Sequence, residues 1–374
     1  IMTVPKSIFY SQDEIDLFLP QILEKTALLQ ELENQIDEIK RDPIFYVAER
    51  VEQQIRLPNR LLKTPYDAHQ LIQKKKQQLG LLKLPEREVS VGQCSFINKR
   101  QLQEDTSVIA KLPGPSGHDL YTAAVFDGHG SDAVSTFCRA NFAQILKQNL
   151  QAKKSLPETF LELDHLFAQE NQKQSQAGAT AVAVAICGPR VEVCNVGDAR
   201  ILLKDGEFLF ETVDHKPDYK EELDRLRKAG GYVSVVQGIA RVCGQAAFSR
   251  SIGDQYLKKY GVITLPDCWQ LLVQDLQWII LASDGLWDVL SSQQINEILS
   301  FQGWMGNVMQ LMLEGKCEEA DAKLKENGAI GDLTKASQVQ SSDLKVDQLA
   351  AGLVRIAVAL KSEDNITVVV ILPE

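Results

Sequence analysis

The sequence predicts an α+β fold with antiparallel sheets. From Val89 onward, short apolar runs rich in Val, Ile, Ala and Thr recur between Gly, Asp and Asn residues, which is typical of strands. Most of these runs follow one another directly and the helical stretches come between them in pairs, whereas a parallel sheet would alternate strands with helices. No glycine-rich nucleotide-binding motif is present, so the common nucleotide-binding folds lack their usual signature.

Each predicted element has its own local pattern. The strands are predicted at 106–110, 121–126, 179–187, 191–196, 199–203, 206–211, 278–283 and 366–372. The helices are predicted at 131–151, 156–172, 221–229, 292–299 and 346–361. The stretch 302–345 is polar and weakly periodic, and we interpret it as an insertion or a mobile excursion before the last helix and strand.

Residues 1–85 differ from the rest of the chain and predict a helical N-terminal extension. Ser11 and Glu14 have the spacing of a capping box at a helix start, and residues 21–40 carry a heptad-like apolar pattern. We expect this extension to pack on the main domain or on itself. A dimerisation helix, or a binding site for a protein partner, is the alternative. The main domain is then residues 86–374, including the insertion.

The composition is typical of a globular protein and speaks against a nucleic-acid partner. The 374 residues are 44% apolar and 24% charged, and a formal net charge of -10 offers no basic stripe for a phosphate backbone. No apolar run is long enough to predict membrane insertion, and the N-terminus has no secretory signal pattern. The seven cysteines form no CxxC pair, which favours a reducing compartment without disulfides. The expected location is the cytoplasm, with the nucleus as the alternative.

Acidic residues meet apolar strands at five places, and these carry the functional prediction. They are Glu104-Asp105 before 106–110, Asp127-Gly128 after 121–126, Asp198 between 191–196 and 199–203, Asp284-Gly285 after 278–283, and Asp364-Asn365 before 366–372. A carboxylate beside a buried strand costs free energy unless its charge is compensated. We therefore expect these groups to converge on one edge of a sandwich and to share a cation.

The oxygen-only donor set indicates the kind of cation. No Cys or His residues cluster with the acids, so a hard ion such as Mg²⁺ or Mn²⁺ is favoured over zinc. Gly128 and Gly285 suit such a site, because glycine lets the backbone turn tightly and can leave a carbonyl free to coordinate. Each Asp-Gly pair alone is more typical of a plain turn, and only their joint occurrence favours a metal site.

The sequence also resembles the type 2C metal-dependent Ser/Thr protein phosphatases (the PPM family), from about Val89 to Ile371. Eight blocks carry the resemblance in the family's order: 100–105 (RQLQED), 125–130 (VFDGHG), 178–180 (GAT), 196–200 (VGDAR), 214–217 (DHKP), 241–254 (ending SRSIGD), 283–288 (SDGLWD) and 364–367 (DNIT). The resemblance implies a four-layer α-β-β-α sandwich of two antiparallel sheets flanked by helices, with a binuclear metal site at one end.

The resemblance implies a role for each candidate site residue. The implied metal ligands are Asp127 bridging both ions, the carbonyl of Gly128, Asp284 and Asp364, then Glu104 mostly through water with Asp105 beside it, and Asp198 and Asp288 at a weaker third ion. The implied cofactors are two Mn²⁺ or Mg²⁺ ions, which lower the pKa of a bridging water. Arg100 is implied to bind the phosphate of a phosphorylated protein substrate, and His129 to protonate the leaving serine or threonine oxygen.

Other matched residues have structural interpretations, and two other functions were weighed. We expect His215, Ser249, Arg250 and Trp287 to be structural. The chain departs from the family at three positions: Cys243 where Asn is usual, Ala246 where Leu is usual, and Lys361 where Gly often precedes the last motif. One alternative function is a catalytically weak or inactive phosphatase fold that serves as a scaffold, although the complete ligand set speaks against it. The other is an assembly or inhibitor subunit that acts through the N-terminal extension.

Overall fold

Two antiparallel sheets pack face to face, with helices against both outer sides. The computed structural model describes residues 88–114, 118–170, 176–329, 331–339, 341–342 and 344–374. The predicted extension, residues 1–85, lies outside the described residues, so its helical character stays a prediction. Among the described helices, none combines the length and the apolar character needed to cross a membrane.

The first sheet has five strands and the second has six. In spatial order the first contains β1 (Val89–Phe96), β13 (Ile366–Pro373), β12 (Leu276–Ala282), β6 (Arg200–Asp205) and β7 (Phe208–Glu211). The second contains β11 (Asp267–Leu272), β5 (Arg190–Val196), β4 (Gly178–Cys187), β3 (Asp119–His129) and β2 (Thr106–Pro113), and β10 (Ile252–Gly253) also pairs with β4. A separate hairpin joins β8 (Val233–Val236) to β9 (Ile239–Val242). All the pairings within the sheets are antiparallel, as predicted.

Ten helices are described. They are α1 (Ala133–Gln151), α2 (Leu156–Glu170), α3 (Lys220–Lys228), α4 (Gln255–Lys258), α5 (Asp284–Trp287), α6 (Ser292–Leu299), α7 (Gly303–Leu313), α8 (Cys317–Glu326), α9 (Leu333–Ala336) and α10 (Lys345–Ala359). The five predicted helices are confirmed to within two residues at each end, and α6 begins with the capping box of Ser291 and Gln294.

Alternation along the strands explains the four layers. In β3, Ala123 and Val125 point into the core between the sheets, while Ala124 and Phe126 pack under α1 and α2. The outer face of the first sheet packs in the same way against α10 and its neighbouring helices. Because every central strand is covered on both faces, its sequence is a continuous apolar run. The predicted α-β-β-α sandwich is confirmed.

The stretch 302–345 was predicted to be an irregular excursion, but the structure differs from this prediction. It contains α7, α8 and α9, and residues such as Met309 and Leu324 are fully buried in the core on the outer side of the first sheet. The apolar faces of these helices are short, so the sequence pattern was too weak to predict them. Whether the stretch is an insertion relative to other family members stays a prediction.

One disulfide contradicts the expectation that all cysteines are reduced. Cys194 of β5 and Cys268 of β11 lie opposite each other in the sheet register and are bonded, with their Cα atoms 4.3 Å apart. The strand β11 was not predicted, and 74 residues separate the two cysteines along the chain. Their proximity is therefore a consequence of strand pairing that no local spacing reveals.

Candidate metal centre

The candidate residues meet at one end of the sandwich because of the antiparallel topology. In such sheets the end of one strand lies beside the start of its neighbour. Phe126, three residues before the end of β3, pairs with Thr106 at the start of β2, and Ala282, at the end of β12, pairs with Val368 near the start of β13. The acidic residues that follow or precede these strands are therefore brought to the same edge, as the sequence predicted.

Asp127 and Asp284 form the half-buried centre of this acidic cluster. The backbone amide of Asp284 lies 3.4 Å from Oδ2 of Asp127. Burial raises the pKa of Asp127 well above its usual value, and the charge of Asp284 raises it further. Burial and the charges of Asp198 and Asp288 raise the pKa of Asp284 in the same way. Two neighbouring carboxyl groups with raised pKa values are suited to bind a cation, since a cation would offset both burial and repulsion.

Asp105 lies behind this pair and is held by hydroxyl groups. Ser283 donates a hydrogen bond from Oγ to Oδ2 of Asp105 at 2.7 Å. Burial raises the pKa of Asp105 to about 6, against the lowering effect of hydrogen bonds from Ser283 and Thr367. Asp105 is almost completely buried. Asp105 therefore lies behind the centre, inside the sandwich. This position agrees with its implied role as a neighbour of Glu104.

Glu104, Arg100 and Asp364 lie together at the more open side. Arg100 donates from Nη2 to Oδ2 of Asp364 at 2.5 Å. Burial raises the pKa of Glu104, the charges of His129 and Arg100 lower it, and Asp364 raises it again. His129, Arg100 and Asp364 are therefore all within electrostatic reach of Glu104.

Asn365 organises this loop, a role that the sequence analysis did not assign. Its Oδ1 accepts a hydrogen bond from the Glu104 amide at 2.9 Å. Its Nδ2 donates to the carbonyl oxygens of Ile97 and Leu102 at 3.0 and 3.1 Å. Asn365 thereby fastens the loop after β1 to the start of β13, which fixes Glu104 beside Asp364. The sequence signal was its place next to Asp364 in a matched block.

Asp198 and Asp288 lie at the other side of the centre, with Lys216. Lys216 donates from Nζ to Oδ2 of Asp198 at 2.6 Å, and the Asp198 side chain is only 5% exposed. Burial would lower the pKa of Lys216, but Asp198, Asp214 and Asp284 raise it above its usual value. Burial raises the pKa of Asp288, Lys216 lowers it and Asp198 raises it. Lys216 is thus a residue of the centre that sequence reasoning missed.

The two glycines next to the central aspartates differ. A Cβ at Gly128 would overlap the Glu104 carbonyl oxygen, so only glycine lets the Glu104 loop approach β3 this closely. A Cβ at Gly285 would overlap the carbonyl of Asn365. The Gly285 carbonyl accepts a hydrogen bond from Ser362 Oγ at 2.7 Å, which uses one of its two lone pairs, and its coordination of a metal ion stays a prediction.

The oxygen donors of this cluster fit divalent cations, although the side chains are not arranged as a complete coordination shell. Within the described ranges, no group of three or more His, Cys, Asp or Glu side chains is arranged to hold a metal ion as it stands. Arg100 is paired with Asp364 and Lys216 with Asp198, so each cationic side chain occupies one carboxylate of the cluster. Among the described residues, no Lys or Arg forms an ion pair with Asp127 or Asp284, and a bound cation would offset the effects that raise the pKa values of both.

His129 lies at the rim of the centre, bonded to an acid that carried no predicted role. Its Nε2 is 2.7 Å from Oδ2 of Asp254. The His129 side chain is 29% exposed, whereas Asp254 is 1% exposed. Asp254 ends the matched block 241–254, so its motif was visible in the sequence, but nothing local indicates its contact with His129.

The residues expected to be structural are buried in hydrogen-bond networks. Nδ1 of His215 accepts from the Gly197 amide at 2.9 Å. Arg250 donates from Nη2 to Glu222 at 2.7 Å, and Ser249 donates to the same carboxylate. Trp287 donates from Nε1 to the Ala282 carbonyl at 2.9 Å and packs in the core under the Asp284 loop. These contacts agree with the structural interpretation of all four.

Comparison with known proteins defines the class. The sequence profile of the protein phosphatase 2C family matches residues 89–302. The chain is 34% identical over 179 residues to probable protein phosphatase 2C 45 of Oryza sativa subsp. japonica, spanning 46% of this chain and 63% of that protein. It is 31% identical over 317 residues to probable protein phosphatase 2C 9 of the same organism, spanning 75% of this chain and 74% of that protein. The chain therefore belongs to the protein phosphatase 2C family.

A solved structure of a protein phosphatase 2C shares this fold. A serine-threonine phosphatase 2C from Toxoplasma gondii superposes with a TM-score of 0.58 at 22% identity, covering 78% of this chain and 96% of that one. At this identity the likeness establishes the shared fold. It agrees with the sandwich described above.

Proposed function

We propose that this chain is a protein serine/threonine phosphatase that hydrolyses phosphoserine and phosphothreonine with two Mg²⁺ or Mn²⁺ ions. The observation that supports this most is the half-buried pair of Asp127 and Asp284, whose pKa values are raised by burial and by the charges of neighbouring carboxylates. Arg100 and His129, two partly exposed side chains that can act on a phosphate ester, flank the same cluster. Family membership favours the same class of reaction.

The proposed work of each side chain follows from its position. Asp127, Asp284, Asp364 and the Gly128 carbonyl would hold the ions, with Glu104 and Asp105 beside them and Asp198 and Asp288 available to a weaker third ion. When bound, the cations supply Lewis acidity at the phosphoryl group and make water a nucleophile near neutral pH. Arg100 would turn from Asp364 to two phosphate oxygens, which its planar guanidinium suits. His129 would give a proton to the departing serine or threonine oxygen.

A phosphatase assay with and without divalent cations tests this function. Hydrolysis of a phosphoserine peptide and of para-nitrophenyl phosphate should disappear in EDTA and return with Mn²⁺ or Mg²⁺. Thiol-blocking reagents should not abolish it, because no cysteine belongs to the cluster. Full activity in EDTA would overturn the metal-dependent mechanism, and no activity with either ion would favour the scaffold alternative.

We also propose a protein partner for the N-terminal extension, residues 1–85. Its support is the heptad-like pattern at residues 21–40, which offers an apolar stripe to another helix. Comparing the oligomeric state and the activity of the full chain with those of residues 86–374 tests this proposal. Identical behaviour of the two chains, alone and in cell extract, would contradict it.

A further inference from the structure

Asp254 reaches His129 across 125 residues of sequence. The Nε2 atom of His129 lies 2.7 Å from Oδ2 of Asp254. His129 ends β3, and Asp254 follows β10 immediately before α4. The carboxylate is 1% exposed and the imidazole 29%, so the pair consists of a buried acid and a ring that still reaches solvent.

The backbone holds the Asp254 carboxylate in a fixed place. Asp254 has left-handed φ and ψ angles of 49° and 41°, which Asp and Asn adopt more readily than most residues. Its amide donates to the Ala177 carbonyl at 2.8 Å. The amide of Gly253 donates to Oδ1 of Asp164 on α2 at 2.7 Å. Two separate elements therefore anchor the turn that presents Asp254.

A glycine opens the space in which the pair meets. Gly178 of β4 pairs in register with His129 on one side and with Gly253 on the other. A Cβ at Gly178 would overlap both Oδ2 of Asp254 and Nε2 of His129. The ring of Phe248 stands 4.5 Å from the His129 ring, centroid to centroid, and supports one face of it. The surroundings thus restrict the imidazole to the orientation that meets Asp254.

We propose that Asp254 is the positioning residue of His129, fixing its tautomer so that Nδ1 serves the leaving group; this rests on the proposed function. An ionised carboxylate can only accept hydrogen bonds, so Nε2 must carry the proton that faces Asp254. When the ring carries a second proton, that proton is on Nδ1. That proton passes from Nδ1 to the departing alkoxide oxygen, the neutral Nε2–H ring remains, and solvent returns a proton to Nδ1 before the next turnover.

The test begins with Asp254→Asn in the full chain with Mn²⁺. Asn tolerates the left-handed backbone of Asp254, so the fold is preserved while the charge is removed. We expect kcat for a phosphoserine peptide to fall about 10- to 100-fold, the usual range for a supporting residue. For para-nitrophenyl phosphate, whose leaving group needs no proton, kcat should change little. KM should be unchanged for both substrates.

Two further variants keep the result decisive. In a His129→Ala background, Asp254→Asn should cause no additional loss, because its effect passes through His129. Gly178→Ala keeps the side chains of His129 and Asp254 but displaces their contact. It should therefore lower kcat for the phosphoserine peptide and change kcat for para-nitrophenyl phosphate little, as Asp254→Asn does. Asp321→Asn is the matched control: it removes the ion pair with Arg355 on the outer side of the first sheet and should not alter the ratio of the two substrates.

A spectroscopic measurement reports on the pair independently of turnover. The chain has five histidines, so ¹⁵N imidazole signals of His129 can be assigned by their loss in His129→Ala. The neutral ring should be the Nε2–H tautomer in the wild type and a tautomer mixture in Asp254→Asn. An unchanged tautomer, or an undiminished effect of Asp254→Asn without His129, would overturn the inference. A wild type with no metal-dependent phosphatase activity would instead overturn the proposed function.

Discussion

Arg100 donates a hydrogen bond from Nη2 to Oδ2 of Asp364 at 2.5 Å, so the proposed phosphate-binding residue is paired with a proposed metal ligand. The pairing of β1 with β13 brings the two together, since Arg100 follows β1 and Asp364 precedes β13. The Arg100 side chain is 53% exposed and can turn toward an anion at little cost. Cations at Asp364 and a phosphate at Arg100 are therefore expected to favour each other.

Replacing Arg100 tests its role in binding. Arg100→Ala should raise KM for the phosphopeptide and for para-nitrophenyl phosphate by a similar factor, on the order of 10-fold, because both carry the same phosphate. Steady-state kinetics with Mn²⁺ measures this. The control is Lys99→Ala, which removes the neighbouring exposed pair with Glu363. An effect confined to kcat, or to one substrate, would contradict the prediction.

Removing one central carboxylate should separate function from folding. Asp127→Asn or Asp284→Asn should lower turnover by more than about 10²-fold, since each removes a charge from the proposed ion site. In EDTA the melting temperature should hold or rise, because the repulsion with neighbouring carboxylates is relieved. Asp119→Asn, at the far end of the same strand, should change neither quantity. Unfolding of Asp127→Asn in EDTA would show a structural role instead.

The acidic cluster should make the metal-free protein less stable as pH rises. Burial raises the pKa of Asp105 to about 6, and it raises those of Asp127 and Asp284 as well. The folded state therefore binds more protons than the unfolded one, and the stability present below the unfolded pKa is lost as pH rises through the folded values. Melting temperatures in EDTA should fall more steeply from about pH 5 to pH 8 for the wild type than for Asp127→Asn. Mn²⁺ should remove the difference in slope, and equal slopes in EDTA would refute it.

Glu222 should have the opposite pH dependence. Burial would raise its pKa, but hydrogen bonds from Arg225 and Arg250 outweigh burial and hold the pKa well below its usual value. Its contribution is present above the unfolded pKa and is lost as pH falls. Glu222→Gln removes the ion pairs with Arg225 and Arg250, while Arg250 keeps its pair with Asp267, so the free energy of unfolding should fall by about 2 kcal/mol at neutral pH. Asp224→Asn on the same helix breaks only an exposed pair with Lys220 and should change denaturant unfolding little.

Lys361 occupies a position that favours glycine. It follows α10 with a φ of 75°, and its amide donates to the Val358 carbonyl while that of Ser362 donates to Ala357, as in a glycine-terminated helix. Lys361→Gly should therefore raise the free energy of unfolding by about 1 kcal/mol. Lys361→Ala keeps the Cβ and should bring no such gain, which makes it the control. Thermal and urea unfolding measure this difference. Equal free energies of unfolding for the two variants would contradict the prediction that the backbone of Lys361 is strained.

The sequence by itself determined the central strands and the edge where the acids meet. Apolar runs are local and long enough to predict β3, β12 and β13, and the acids at their ends predicted the cluster of Asp127, Asp284 and Asp364. Antiparallel order then brings these ends together, because sequential strands lie side by side with alternating direction. The resemblance of matched blocks added roles for Arg100 and His129 to the same edge.

Only the tertiary structure decided which partner each of these groups contacts. His129 with Asp254, Lys216 with Asp198 and Cys194 with Cys268 are joined by strand register and left-handed turns, neither of which leaves a periodic pattern in the sequence. The hydrogen bond from Ser362 to the Gly285 carbonyl could not be predicted for the same reason, since the two residues lie far apart along the chain. Hydrophobic periodicity reports on local burial, whereas a hydrogen bond between distant residues depends on how whole elements pack.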